Sequence, residues 1–212
     1  MPTVLCFGDS NTHGTVPMQD FQDRRRYGRF DRWPGVMAQT LGDDWYVIEE
    51  GNGGRTTVHD DPIDGEHRAG RRILPALLES HRPLDAVIIM LGTNDMQARF
   101  VASAGDVARG VERLVREVKN SDAGRDGEHP SILVVAPVPV EEVGIFAETF
   151  AGAAQKSRAL APLLAEMCAR LDVDFADAAD WATVDADEGV HLSKGAHQVI
   201  GQGIATVLRN VI

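Results

Sequence analysis

Ala86-Val87-Ile88-Ile89-Met90-Leu91 is apolar at every position and runs directly into Gly92-Thr93-Asn94-Asp95. An apolar run of this length, cut short by turn residues, is the pattern of a strand buried on both faces, as in a parallel sheet. Ile132 to Ala136 repeats the pattern, so these two strands belong in the sheet centre. Working outward, Thr3 to Phe7, Tyr46 to Glu49 and Val173 to Ala176 read as three further strands. Between them, apolar residues recur at intervals of three and four, as in Val107, Val111, Leu114, Val115 and Val118, which is the period of an amphipathic helix. The alternation predicts an α/β fold with a five-stranded parallel sheet covered on both faces. A stripe through Ala196, Val199, Ile200, Ile204, Val207, Leu208 and Val211 predicts a terminal helix docked on the sheet. Pro162 predicts a kink in the helix through Leu160, Leu163, Leu164 and Met167.

The chain has 212 residues, which suits one α/β domain spanning 1–212. A formal charge of −11 argues against a nucleic-acid partner, because phosphate binding needs a basic patch. Only Arg24, Arg25 and Arg26 approach one, and they read as a solvated loop. Cys6 and Cys168 sit in apolar stretches far apart, which predicts buried, reduced thiols and a reducing cytoplasm. Val4-Leu5-Cys6-Phe7 has neither the basic flank nor the length of a signal segment, and no apolar run is long enough to span a bilayer. The expectation is a cytosolic protein free of membranes. No metal is expected: there is no H-E-x-x-H, and His59 with Asp60 and Asp61 lacks the remaining ligands. No cofactor is expected either, since no Lys follows the glycines as in a P-loop, and Gly51-Asn52-Gly53-Gly54 follows the second strand rather than the first. His13, His67, His81, His129 and His197 show no partner pattern and read as structural or surface residues.

Open parallel sheets bind ligands beyond the carboxyl ends of their strands, so the residues there carry the functional information. Gly8-Asp9-Ser10 follows the first strand, Gly51-Asn52-Gly53-Gly54 the second, Gly92-Thr93-Asn94-Asp95 the third, and Asp185 to His191 lies beyond the last. Pro137-Val138-Pro139 after the fourth reads as a stiff wall. On its own segment Ser10 fits a helix N-cap as well as a nucleophile. A serine nucleophile needs a base, and His191 is the candidate, with Asp185, Asp187 and Glu188 just upstream to hold the imidazole in one tautomer. Gly54 lets a backbone N–H approach a ligand closely and Asn94 offers a side-chain N–H, both suited to an oxyanion. Two polar stretches, Val16 to Trp33 and Thr57 to Gly70, are long for connections in a compact domain and read as lids, site walls or subunit contacts.

Taken in order, Gly8-Asp9-Ser10, Gly54, Gly92-Thr93-Asn94-Asp95 and His191 resemble the four blocks of the SGNH hydrolases, also called GDSL-type esterases. Val4 to Gly14, Ile48 to Gly51, Arg55-Thr56-Thr57, Asp60-Asp61-Pro62 and Leu84 to Asp95 are similar to the bacterial arylesterase/acyltransferase branch, near carbohydrate acetylesterase-like members. The resemblance implies a flavodoxin-like three-layer α/β/α sandwich and a serine esterase acting on short, acetyl-type esters, with acyl transfer as a second activity. It makes Ser10 the nucleophile and His191 the base, with the Ser10 N–H, the Gly54 N–H and the Asn94 side chain as oxyanion donors. It also implies assembly into a homo-oligomer through loops like the two noted above. The family places Asp three residues before the histidine where this chain has Glu188, so Glu188 is assigned the acid role with Asp187 or Asp185 as substitutes. Asn11, His13 and Thr15 stand where relatives carry larger apolar residues, which predicts a more polar pocket. A sugar O-acetyl esterase and a non-catalytic binding protein retaining the fold are the alternative readings.

Overall fold

The computed structural model describes residues 1–212. Five strands, β1 (Thr3–Gly8), β2 (Tyr46–Gly51), β3 (Ala86–Met90), β4 (Ser131–Ala136) and β5 (Asp174–Asp177), form one parallel sheet in the order β2-β1-β3-β4-β5. β3 is central and buried at every residue, as its unbroken apolar sequence requires. Seven helices complete the fold: α1 (Ser10–His13), α2 (Trp33–Leu41), α3 (Gly70–His81), α4 (Ala104–Lys119), α5 (Ala153–Arg158), α6 (Leu160–Leu171) and α7 (Lys194–Leu208).

Alternate strand residues point to opposite faces, which divides the core into two layers. Val4, Cys6, Ile88 and Leu133 pack on one face against Trp33 and Met37 of α2 and Ile200 and Ile204 of α7. Leu5, Phe7, Val87 and Val134 pack on the other against Leu74 of α3, Val111 and Leu114 of α4 and Leu164 of α6. Each fully buried Leu, Ile or Val contributes about 1.5–3 kcal/mol of transfer free energy, so both faces must be covered for the sheet to persist. Cys6 belongs to the first layer and Cys168 to the second, and both are free thiols.

Two helical expectations change. Pro162 is the third residue of α6, in the first turn, where no intrahelical donor is lost. Its ring instead excludes the carbonyl four residues back, that of Arg158, which is where α5 ends. The expected single kinked helix is therefore two helices meeting at Ala159. In α7, Ala196, Ile200, Ile204 and Leu208 are buried, but Val199 is 40% exposed and lies off the stripe. An apolar residue one position from a four-residue repeat points about 100° away from it.

The strand order is that of a doubly wound sheet whose connections leave β1 and β3 toward opposite faces, opening a crevice at their carboxyl ends. β1 turns into α1 so tightly that a Cβ on Gly8 would lie 1.9 Å from Thr12 Oγ1, and a Cβ on Gly51 would lie 2.2 Å from the His13 backbone nitrogen. The backbone of α1 thus rests directly on the end of β2. Gly51→Ala should lower stability by about 1–3 kcal/mol in denaturant titrations by forcing α1 off the sheet. An unchanged denaturation midpoint would mean that this contact relaxes freely.

Candidate active site

The turn after β1 decides the local role of Ser10. Asp9, not Ser10, is the N-cap of α1, its carboxylate accepting the Asn11 N–H at 2.9 Å. Ser10 is the first residue of the helix and lines a cavity of about 420 Å³ together with Gly54, Asn94 and His191. The capping explanation of Ser10 is thereby removed.

His191 arrives from the loop before α7, where the residue is 5% exposed. Its Nδ1 is hydrogen-bonded to Glu188 Oε1, while Glu188 Oε2 accepts the backbone N–H groups of Val190 at 2.9 Å and His191 at 2.7 Å. Burial opposes ionisation of Glu188, but His191 and these two N–H groups outweigh it and hold the carboxyl below its ordinary range. Among the three carboxylates upstream, Glu188 is the one that meets the imidazole. Asp185 accepts the N–H groups of Asp187 and Glu188 at 3.1 Å each and so shapes the turn, whereas Asp187 is exposed. The Glu188 carboxylate thus meets these backbone N–H groups and the imidazole together.

Asn94 follows β3 at the other side of the crevice. Gln97 donates to its Oδ1 at 3.1 Å, which fixes the amide so that Nδ2 donates to Arg55 O at 3.1 Å and lies 3.5 Å from Asp9 Oδ2. Gly54 adopts φ +70°, a left-handed conformation that glycine takes without strain. Arg55 is almost fully buried, its guanidinium 4.3 Å from the Phe7 ring centroid and donating to Gly8 O at 2.8 Å and to Glu50 O. Arg55 thereby joins the β1 turn to the Gly51–Gly54 turn.

The cavity walls come in part from the two long loops, with Met18, Phe21, Asp23, Arg24 and Arg25 from the first and Asp64 and Arg68 from the second. Phe146 and Phe150, from the segment after β4, complete the wall, and the Phe146 ring stands edge-on 5.6 Å from the His191 ring. Neither phenylalanine was visible as a site residue, because they lie well past a strand end in an irregular stretch. Val138 of the proline-flanked segment instead packs in the core. His13 and Thr15 line the cavity, while His197 is buried elsewhere, accepting the Trp33 N–H at 3.2 Å, with burial bringing its pKa down to about 3. Asp60 and Asp61 are bound by Arg72 and Arg99.

Asn11 does not line the pocket. It is buried, donating from Nδ2 to Val190 O at 3.1 Å and accepting the Leu192 N–H at Oδ1 at 3.0 Å. Its one amide grips the chain on both sides of His191 and ties the Ser10 turn to the histidine loop. Asn11→Ala leaves two buried backbone groups unpaired, so it should cost about 1–3 kcal/mol of stability per orphaned group in urea denaturation. Any reactivity that needs Ser10 and His191 in register should fall with it. A variant as stable as the parent would remove Asn11 from this role.

Two buried carboxyls lie beneath the site. Burial pushes Asp9 up to about 6, against the opposing pull of the Asn11 N–H, His191 and Arg55. Burial pushes Asp95 up to about 7, although Thr57 donates to it from both N and Oγ1. Unfolded aspartates lose their protons near pH 4, so above that value the folded state binds more protons and stability falls as pH rises toward about 7. Between about pH 5 and about pH 8 the parent should lose more stability than Asp95→Asn, since the histidine contributions of opposite sign, from His197 and His13, are common to both, and the gap between the two unfolding midpoints should shift accordingly. A gap left unaltered by Asp95→Asn would show that this carboxyl does not titrate there.

The sequence model of the GDSL-like Lipase/Acylhydrolase family matches residues 6–199. The carbohydrate acetylesterase Est24 from Sinorhizobium meliloti superposes with a TM-score of 0.95 at 38% identity, covering 100% of both chains. The native aryl esterase of M. smegmatis gives the same TM-score of 0.95, 38% identity and 100% coverage of both chains. A carbohydrate acetylesterase family member from Sinorhizobium meliloti has a TM-score of 0.92 at 40% identity, covering 100% of this chain and 99% of its own. No curated protein matches by sequence. With strand order, crevice and sequence in agreement over almost its full length, the chain belongs to the GDSL-like lipase/acylhydrolase family.

Proposed function

We propose that this GDSL-type serine esterase cleaves short, acetyl-type carboxylic esters through an acyl-Ser10 intermediate. The observation that carries the reading is the Glu188 carboxylate on His191 Nδ1 at the edge of the cavity that also holds Ser10. With Nδ1 engaged, Nε2 is left as the base. His191 takes the Ser10 proton as Oγ attacks the acyl carbon, and the carbonyl oxygen becomes an oxyanion. The Ser10 N–H, the Gly54 N–H and the Asn94 side chain stabilise it, each donor contributing about 3 kcal/mol. The Asn94 N–H near Asp9 is held at 3.5 Å, a weak bond that an oxyanion displaces. His191 returns the proton to the leaving alkoxide, then activates water to release the acid and regenerate Ser10. Glu188 keeps the imidazolium oriented in both halves.

The same acyl-enzyme transfers its acyl group to an alcohol that reaches it ahead of water. The reading also includes a homo-oligomer and a cytoplasmic location. Phe21, Phe30 and Ile63, 57%, 53% and 72% exposed on the two long loops, support the first, and the free thiols Cys6 and Cys168 support the second. A sugar O-acetyl ester as substrate is favoured by similarity to the carbohydrate acetylesterases.

Hydrolysis of p-nitrophenyl acetate, and labelling by a fluorophosphonate, should vanish in Ser10→Ala. Glu188→Gln should lower kcat by about 10⁴-fold, the loss that follows when the imidazole settles in the wrong tautomer. Asp187→Asn and Asp185→Asn should cost far less. An active Ser10→Ala, or the reverse ranking of the three acids, contradicts the assignments.

A further inference from the structure

The charge distribution in the cavity wall says more about the substrate than its volume does. Three arginines and two aspartates line it. Asp23 is paired with Arg25 at 2.6 Å, and Asp64 is held by Arg99 at 3.1 Å, outside the cavity wall. Arg24 and Arg68 have no carboxylate partner. Arg24 donates to the carbonyls of Phe21 at 2.8 Å and Asp23 at 2.9 Å and is exposed. Arg68 is half-buried, donates from Nη1 to Gly53 O, and its Nε is fully buried with no acceptor at all. A guanidinium carries donors in a rigid fork suited to a carboxylate, so a cavity-lining arginine without a carboxylate partner has donors to offer an anionic group there. His13 adds no charge, because burial and the nearby Arg26 and Arg32 lower its pKa.

The position of this group matters as much as its charge. A Cβ on Gly54 would meet Arg68 Nε at 3.4 Å and Cζ at 3.5 Å, so the Arg68 side chain lies against Gly54. An acetyl group bound at Ser10 occupies a small part of a cavity of about 420 Å³, which leaves the alcohol portion to face the arginines. Building on the esterase reading above, we propose that Arg68, assisted by Arg24, selects acetate esters whose alcohol part bears a carboxylate. Ser10 Oγ replaces the alcohol oxygen at the acetyl carbon, the hydroxy-carboxylate leaves with the proton held by His191, and water then releases acetate. The overall negative charge of the protein does not oppose this, since an anion reaching the wall meets two cations that no carboxylate neutralises.

4-Acetoxybenzoate and its methyl ester share the acetyl group and the aryl frame and differ in one charge. With each rate divided by that ester's own hydroxide rate, the enzyme should favour the acid by roughly ten-fold in kcat/KM, mostly through KM, as expected for one charged hydrogen-bonding contact. In Arg68→Gln and Arg68→Met the ratio should fall to near one, whichever way the absolute rates move. Equal corrected rates for the two esters in the parent enzyme overturn the inference and leave the esterase reading intact. A ratio that survives both Arg68 substitutions also overturns it, and cleavage of neither ester sinks the esterase reading along with it.

Discussion

Burial of the central strands on both faces is the constraint from which the rest follows. β3 has no exposed residue, and β1 and β4 are each buried except at the first position, so helices must cover the sheet above and below. Covering both faces of a parallel sheet forces the connection after β1 toward one layer and that after β3 toward the other. The crevice between them is a consequence of topology, with no need for a specialised pocket-forming element. Gly8 and Gly51 let the chain turn within that crevice at van der Waals limits, which holds Ser10 at its mouth.

Many of the polar groups that topology brings into this dry region satisfy one another by sharing partners. The Asn11 amide serves the backbone on both sides of His191, the Glu188 carboxylate serves the N–H groups of Met18, Val190 and His191 and the imidazole, and the Arg55 guanidinium serves two carbonyls and an aromatic face. Each of these residues links segments far apart in sequence, or locks a turn that carries a reactive group. Preorganisation in this site is therefore the by-product of satisfying buried donors and acceptors. Asp9 and Asp95 show the cost: both are displaced upward by burial, even with donors aimed at them.

Where the cavity opens, the wall is built by the least regular parts of the chain. The loops over 16–33 and 57–70 are fastened at their bases, by Thr15 pairing with Arg26 and Thr56 with Ala69, and their tips supply the side chains that face the cavity. Ser10 directly follows a strand end and His191 precedes α7, whereas the arginines of the cavity wall lie on the long loops. That division lets one scaffold accept different esters by changes in the walls alone.

The sequence alone determined the five strands, their parallel arrangement and the residues at their carboxyl ends, because these depend on local hydrophobic runs and turn residues. It also supplied Ser10, Gly54, Asn94 and His191 as a set, since block order survives in one dimension. What it left open was settled in three dimensions. Asp9 rather than Ser10 caps α1, and Glu188 rather than Asp187 or Asp185 reaches the imidazole, because both outcomes depend on where a carboxylate's oxygens fall after the chain has turned. Pro162 separates two helices instead of kinking one, and Val199 faces water, since helix start points are not written in the apolar pattern. Asn11 reads as a pocket residue but instead binds the chain on both sides of His191, and Phe146 and Arg68 had no legible signal, because their partners are many residues away and only folding makes them neighbours.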